Sequence, residues 1–392
     1  MNPDINAIDD QGETELHKVC RAGDLDLLMK LLAEPDIDTS IKNNEGYTAL
    51  HLALILDRTD LIKAFIATKK TGINDLAYKK DGLLHYAARH GNIDLLHFLL
   101  QQPTIDPMLK NKDNLTALHT ALIVDNHPSI EVLMDYFGMR YQKTSNLKTL
   151  CWYIKEIEEL FKPTNEIILT PNNATTLIES KLGGHPYLPN HIDYPENKNG
   201  FPLFFLAQIN FSEMPTLDPF PQQGILAFYV DGFSPKYGLD LTRPTQPIGF
   251  RILYFENIDP KQAQTNFRFL PKFKNIPFDG VFSISFVQKI MAIPTSNRSL
   301  HQHLKLKADD QDKFYHAYEC HLGSRVGGNA GFNQPDPRDY HKPELDKEIL
   351  LLQINSEKYN LWGNLGVATF FISEVDLRNK NFSNVLYYWD GC

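Results

Sequence analysis

A fixed step of 34 residues constrains this chain more than any other feature. Four short peptides, Thr14-Glu15-Leu16-His17, Thr48-Ala49-Leu50-His51, Gly82-Leu83-Leu84-His85 and Thr116-Ala117-Leu118-His119, place a histidine every 34 residues with no slip. Gly12, Gly46 and Asn114 precede the peptides in register, and Leu31, Phe65, Leu99 and Leu133 follow each histidine by fourteen residues. A period of that size predicts stacked units, each a turn followed by two short helices that cannot bury their apolar faces alone.

These peptides resemble the Thr-Pro-Leu-His signature of the ankyrin-repeat family. The resemblance implies that threonine and histidine form a local hydrogen-bond network at the start of the first helix, while leucine fills the core. Glu15, Ala49, Leu83 and Ala117 stand where that family has proline, so the pre-set helical dihedral is missing. Gly82 replaces threonine in the third unit, which weakens that cap. The four histidines therefore read as structural rather than catalytic or metal-binding.

At 392 residues, the chain suits two or three domains. A formal charge of -9 and the lack of a lysine or arginine run argue against nucleic acid and anionic membrane surfaces as partners. Cys20, Cys151, Cys320 and Cys392 share no ligand spacing and read as reduced thiols. A polar, acidic start and no long apolar run place the protein in the cytoplasm, bacterial or, for a delivered effector, that of a host.

The reading divides the chain into a four-unit stack (1–138), a junction helix (139–164) and a second domain (165–392). Helices are expected at Glu15 to Ala22, Leu25 to Leu32, Leu83 to His90 and Ile93 to Leu100. The loop tips are the usual partner-binding face in the resembled family. By repeat position, Asn43, Asn44, Tyr47, Lys79, Lys80, Lys110 and Asn111 are the candidates for docking a protein there. Leu147, Leu150, Cys151, Ile154, Ile157, Glu158 and Phe161 line one helical face, as expected of a cap over the open end of the stack, rigidly joined to the second domain.

Beyond Thr164 the chain turns to prolines, glycines, aromatics and short apolar runs. Strands are expected at Phe201 to Ile209, Gly224 to Val230, Phe250 to Phe255, Val281 to Val287, Ile349 to Ile354, Val367 to Ile372 and Val385 to Trp389. A helix is expected over Asp310 to His321, and a polar excursion over Asn297 to Lys307. Two blocks echo each other. Leu182-Gly183-Gly184, Leu206 to Asn210 and Gly224 to Tyr229 match Val326-Gly327-Gly328, Leu351 to Asn355 and Gly366 to Phe371. The fold class is an all-α solenoid followed by a sheet-rich α+β domain with internal duplication. Gln208 and Gln353 are expected to face each other across a groove between the halves.

The same residues carry a second resemblance. Ser180 to Pro189, Pro202 to Asn210, Leu351 to Ser356, Trp362 to Gly366 and Val385 to Asp390 occur in the order found in the YwqG-like family, a bacterial domain of unknown function. The chain departs from it at Gly323-Ser324-Arg325, where that family has Tyr-Pro after the glycine. The resemblance implies a fold and no chemistry. From the residue types, a concave site is expected to collect His185, Tyr187, Gln208, Asp336, Arg338, Gln353, Trp362, Asn364, Trp389 and Asp390, with aromatic walls and amide or charged groups orienting a polar ligand. The competing reading has the tryptophans in the core, the glutamines on backbone, and Asp336 with Arg338 as a salt bridge pinning a loop.

No nucleophile elbow, phosphate loop or metal-ligand spacing is present. No cofactor is expected. His301-x-His303, Cys320-His321 and the pair His316/Cys320 are the nearest approaches to a metal or thiolate site, and scattered surface histidines account for them better. The sequence thus points to an interaction protein: the repeats dock a protein partner, and the second domain binds another protein or a small polar ligand. The alternatives are an enzyme whose target the repeats select, and an antitoxin-like protein whose acidic surface masks a toxic enzyme.

Overall fold

A computed structural model describes residues 4–75, 81–340, 345–356, 359, 361–363 and 365–391. Two compact units emerge: Met1–Glu158 with Lys307–Tyr318, and Glu159–Leu306 with Glu319–Cys392. Residues 307–318, read from sequence as part of the second domain, thus belong by their contacts to the first unit.

The first unit stacks four helix pairs: α1 (Glu15–Ala22) with α2 (Leu25–Ala33), α3 (Ala49–Ile55) with α4 (Thr59–Ala67), α5 (Leu83–His90) with α6 (Ile93–Leu100), and α7 (Ala117–Ile123) with α8 (His127–Tyr136). The recurring leucines at 16, 50, 84 and 118 are buried, so each pair hides its apolar face on its neighbours. Gly12, Gly46 and Asn114 adopt left-handed backbone at φ 73°, 84° and 60°, a conformation glycine and asparagine tolerate. Helix α9 (Leu147–Glu158) buries Leu147, Leu150, Ile154 and Ile157, as its sequence pattern predicts, and packs on α7. Its other neighbour comes from far along the chain. Tyr153 donates from its hydroxyl to Asp310 Oδ2 (2.9 Å) and meets Phe314 of α11 (Gln311–Ala317) edge-on. The expected polar excursion before α11 contains a short helix, α10 (Arg298–His303), so His301 and His303 lie on a helix rather than a strand.

The second unit is one ten-stranded antiparallel sheet. Its strands are β1 (Lys162–Pro171), β2 (Lys181–Leu182), β3 (Phe204–Asn210), β4 (Ile225–Val230), β5 (Phe250–Phe255), β6 (Phe282–Met291), β7 (Arg325–Gly327), β8 (Ile349–Asn355), β9 (Val367–Ile372) and β10 (Leu386–Asp390). The spatial order is β10-β9-β8-β7-β1-β6-β2-β3-β4-β5. The sheet curls into a near-barrel, bringing Phe228 of β4 within 5.0 Å of Phe370 of β9, and Phe250 of β5 within 5.3 Å of Tyr387 of β10. Side chains from both halves fill its inside as one core. The uninterrupted apolar runs of β3 and β8 are buried on both faces, as expected of central strands.

The order of strands reveals a duplication with exchange. In chain order, β1 to β5 correspond to β6 to β10, yet β1 pairs with β7 of the other half and β6 pairs with β2. Each half has thus given its long first strand to the other. Equivalent details recur: bulges at Phe205/Ala207 and Leu350/Leu352, and left-handed glycine pairs at 183/184 and 327/328. The registers Lys181 to Ser283 and Arg325 to Glu166 put the approximate two-fold axis at the facing pair Ile168 and Ser285. Even the sheet edges are covered reciprocally. Trp389 Nε1 of β10 donates to Lys236 O (2.7 Å), while Phe382 packs on Tyr254 of β5 (5.3 Å).

Candidate functional site

The recurring histidines hold the stack together. His17 Nδ1 accepts from Thr14 N (3.1 Å) and lies 2.8 Å from its hydroxyl, while its Nε2 reaches Tyr47 O of the next unit (3.0 Å). His85 repeats this with Gly82 N (3.2 Å) and Leu115 O (2.9 Å). A ring accepting at Nδ1 and donating at Nε2 is neutral, and burial lowers the pKa of His17, His51 and His85 accordingly. The fourth unit departs from the scheme. Thr116 gives its hydroxyl to Glu158 Oε1 of α9 (2.6 Å), and His119 Nδ1 has no partner among the described residues.

Two of the loop residues chosen by repeat position face inward. Asn43 Oδ1 accepts from Glu45 N (3.1 Å) and Tyr47 N (2.9 Å), and Asn111 Oδ1 accepts from Asp113 N (3.0 Å) and Leu115 N (3.1 Å). Both are buried because their side chains fold the loop beneath them. Asn44 and Lys110 are exposed, Tyr47 is half-buried, and Lys79 and Lys80 lie outside the described residues.

What the single-unit period hides is an alternation of every second unit. In units one and three, Glu13 holds Arg21 (2.6 Å) and Asp81 holds Arg89 (3.0 Å). The same positions in units two and four are Tyr47 with Ile55 and Leu115 with Ile123. At the ends of α3 and α7, Ile55 (45% exposed), Leu56 (40%), Ile123 (54%) and Val124 (39%) therefore stand in solvent, the first pair between two arginines and the second beside one, each arginine neutralised by its own carboxylate. Beside Ile55 a hollow of about 630 Å³ is lined by Arg21, Asn44, Glu45, Tyr47, Leu52 and Leu56.

In the second unit most of the polar residues singled out from sequence are spent on the scaffold. Gln208 Oε1 accepts from Tyr187 N (2.8 Å), and its amide donates to Leu177 O (2.7 Å) and Glu179 O (2.8 Å). Gln353 Oε1 accepts from Gly331 N (3.0 Å), and its amide donates to Leu322 O and to Gly323 O (2.9 Å). The expectation that they face each other fails because each clamps the loop of its own half. The Tyr187 hydroxyl accepts from Asp259 N (2.9 Å), and the exposed His185 stacks its ring on Phe267 (4.7 Å).

Asp336 and Arg338 form the two-pronged internal salt bridge (2.9 and 2.6 Å), with the guanidinium 4.4 Å over Phe371. Asp390 accepts from Asn333 N and Gln334 N, and burial raises its carboxyl pKa. Trp362 is buried edge-on to Tyr237 (5.3 Å) and 6.3 Å from Trp389; contrary to the core reading's satisfied indole, its Nε1 has no partner among the described residues. Asn364 lies outside the described residues. His185 and the Asp336–Arg338 pair have separate sets of neighbours, and no shared contact joins them among the described residues.

The thiol reading also resolves into backbone contacts. Cys320 Sγ donates to Ile293 O (3.5 Å), whereas His316 Nδ1 meets Asp312 O (2.7 Å). Burial pushes the Cys20 thiol up to about 12, which leaves it inert. Among the described residues no group of three or more His, Cys, Asp or Glu could hold a metal ion, and no helix is long and apolar enough to cross a membrane.

The helical stack and the exchanged sheet together define the class: an ankyrin-repeat array carried in one chain with a sheet-rich unit. Ankyrin repeats match residues 1–77 and 84–154. The match over residues 180–392 covers more than half of the chain, which belongs to the family described as a domain of unknown function, DUF1963. Among curated proteins the chain is 34% identical over 93 residues to the SMC5-SMC6 complex localization factor protein 1 of Bos taurus, covering 23% of this chain and 9% of that one. It is 28% identical over 135 residues to the B-cell lymphoma 3 protein of Homo sapiens (32% and 29%), and 23% identical over 119 residues to Rabankyrin-5 of Mus musculus (30% and 10%). The chain therefore spans less than a third of the length of each of these relatives.

Proposed function

We propose that the protein is a docking scaffold whose ankyrin stack grips an apolar segment of a protein partner. The second unit, on this reading, binds a second protein or a small polar ligand. The carrying observation is the pair of exposed apolar ends, Ile55-Leu56 and Ile123-Val124, at equivalent positions two units apart. Exposed apolar side chains recurring on one face of a repeat array, with their charged neighbours already paired, favour an apolar contact over an electrostatic one. The docking reading is favoured over the enzyme reading because Gln208, Gln353, Asp336 and Arg338, four of the residues that suggested a pocket, are committed to backbone and to each other.

A photo-crosslinking amino acid placed at the neighbouring exposed Leu56 or Val124 in the full chain tests this. The expected result is one discrete partner captured from both sites and not from Met29, an exposed residue of the outer helix α2. The capture should vanish in I55E/I123E while the thermal midpoint stays put. Equal capture from Met29, or capture that survives I55E/I123E, contradicts it.

A further inference from the structure

The two halves of the sheet unit treat one serine differently. Ser180, before β2, accepts Ile284 N at its carbonyl (3.0 Å) and Asn210 N at its hydroxyl (2.9 Å). Ser324, before β7, accepts Ile167 N (2.9 Å) and Asn355 N (3.0 Å) in the same two ways. The fourth group breaks the correspondence. Ser180 N donates to the Glu213 carboxylate (2.7 Å), whereas Ser324 N makes no hydrogen bond among the described residues.

Ser324 also lines a hollow of about 360 Å³, at the small end of ligand-site volumes, with Glu166, Ile168 and Leu169 of β1, His321 and Tyr359. The hollow exists because β7 begins only at Arg325. Past Ile167, β1 has no strand beside it on that side among the described residues. Leu169 turns its backbone groups the same way as Ile167, two residues along an extended strand. Its carbonyl accepts from the Tyr359 hydroxyl (3.2 Å), and its N–H remains a second donor toward the hollow. Glu166 does not repel an anion outright, because Lys289 neutralises it at 2.7 Å.

We infer that this hollow is a binding site for a carboxylate, which takes in the second half the place that Glu213 fills in the first. Charge-assisted bonds from backbone N–H groups to a carboxylate are among the stronger polar contacts, and the first half displays the geometry in place. The inference specifies the small-ligand reading of the second unit and rests on it. The carboxylate can be that of a free small acid or of a peptide terminus.

Amide NMR of the full ¹⁵N-labelled chain, titrated with sodium acetate at constant ionic strength, is the test. Acetamide serves as the neutral isostere, and a tripeptide with a free carboxyl end as the peptide source. The Ser324 amide should move along a single-site isotherm with acetate, with binding roughly tenfold or more weaker for acetamide. Tighter binding by the tripeptide than by acetate assigns the peptide source, and the reverse assigns the small acid. E213A should add the Ser180 amide as a second responder. Saturation at other amides with Ser324 unmoved overturns the assignment but keeps a small-ligand unit; no saturable response anywhere overturns both. A Ser324 response that appears only in E357Q shows the chain's own carboxylate in the site, and also overturns it.

Discussion

The helical stack and the sheet unit were both made by copying, but they use their copies differently. The stack translates one unit along an axis, so each copy meets a neighbour like itself and presents one surface to solvent. The sheet unit closes two copies about a two-fold axis and exchanges their first strands, so no further copy can be added. In both, the polar residues that recur are structural: His17 and His85 bridge helix starts to the next unit, while Gln208 and Gln353 clamp loops. The positions with room for function are those where recurrence breaks. In the stack these are the alternating Arg21, Ile55, Arg89 and Ile123, and in the sheet unit Ser324 without its glutamate.

The largest effects should come from the recurring glutamines. Removing either amide strands one buried N–H and two carbonyls, so Q208A and Q353A should each lower unfolding stability by about 3–5 kcal/mol. Urea unfolding should show similar losses; a loss in one half alone breaks the equivalence of the halves.

Next in size is the end of the stack, where Glu158 replaces histidine as the partner of Thr116. Burial lifts its carboxyl pKa to about 7, against the Thr116 hydrogen bond and the Lys110 charge, which pull it down. A raised folded-state pKa means the stabilisation is fully present below the unfolded carboxyl pKa and is lost as pH rises through about 7. E158Q should therefore be about 2–3 kcal/mol more stable than the parent in mild alkali, with the difference closing in acid. A pH-independent difference contradicts this. The smallest effect is G82T. It gives the third unit the hydroxyl that Thr14 and Thr48 set beside their histidines, and should add about 0.2–0.5 kcal/mol by thermal unfolding.

Much of the fold is legible in the sequence. Glu15–Ala22, Leu83–His90 and Ile93–Leu100 begin and end where the 34-residue step and the turn residues place them, and β5 and β9 match their apolar runs residue for residue. Strand β1 gives no such signal because it opens Lys-Pro-Thr-Asn-Glu, with no alternation, and its partner lies more than a hundred residues on. Strands β2 and β7 are too short for any periodicity. The echo of Gln-Ile-Asn reveals the duplication, yet sequence cannot tell a glutamine that binds its own backbone from one that binds a ligand. The contrast between Ser180 and Ser324 needs the strand register, since Glu213 marks itself in no motif.

The most direct test of this division is to measure unfolding free energy and partner capture together, in Q208A and Q353A and in I55E/I123E. The account predicts that the glutamine variants lose several kcal/mol yet keep the crosslinked partner wherever they remain folded. The isoleucine variant should stay within about 0.5 kcal/mol of the parent and lose the partner. Glutamine variants as stable as the parent, or an isoleucine variant that unfolds or keeps its partner, would contradict it.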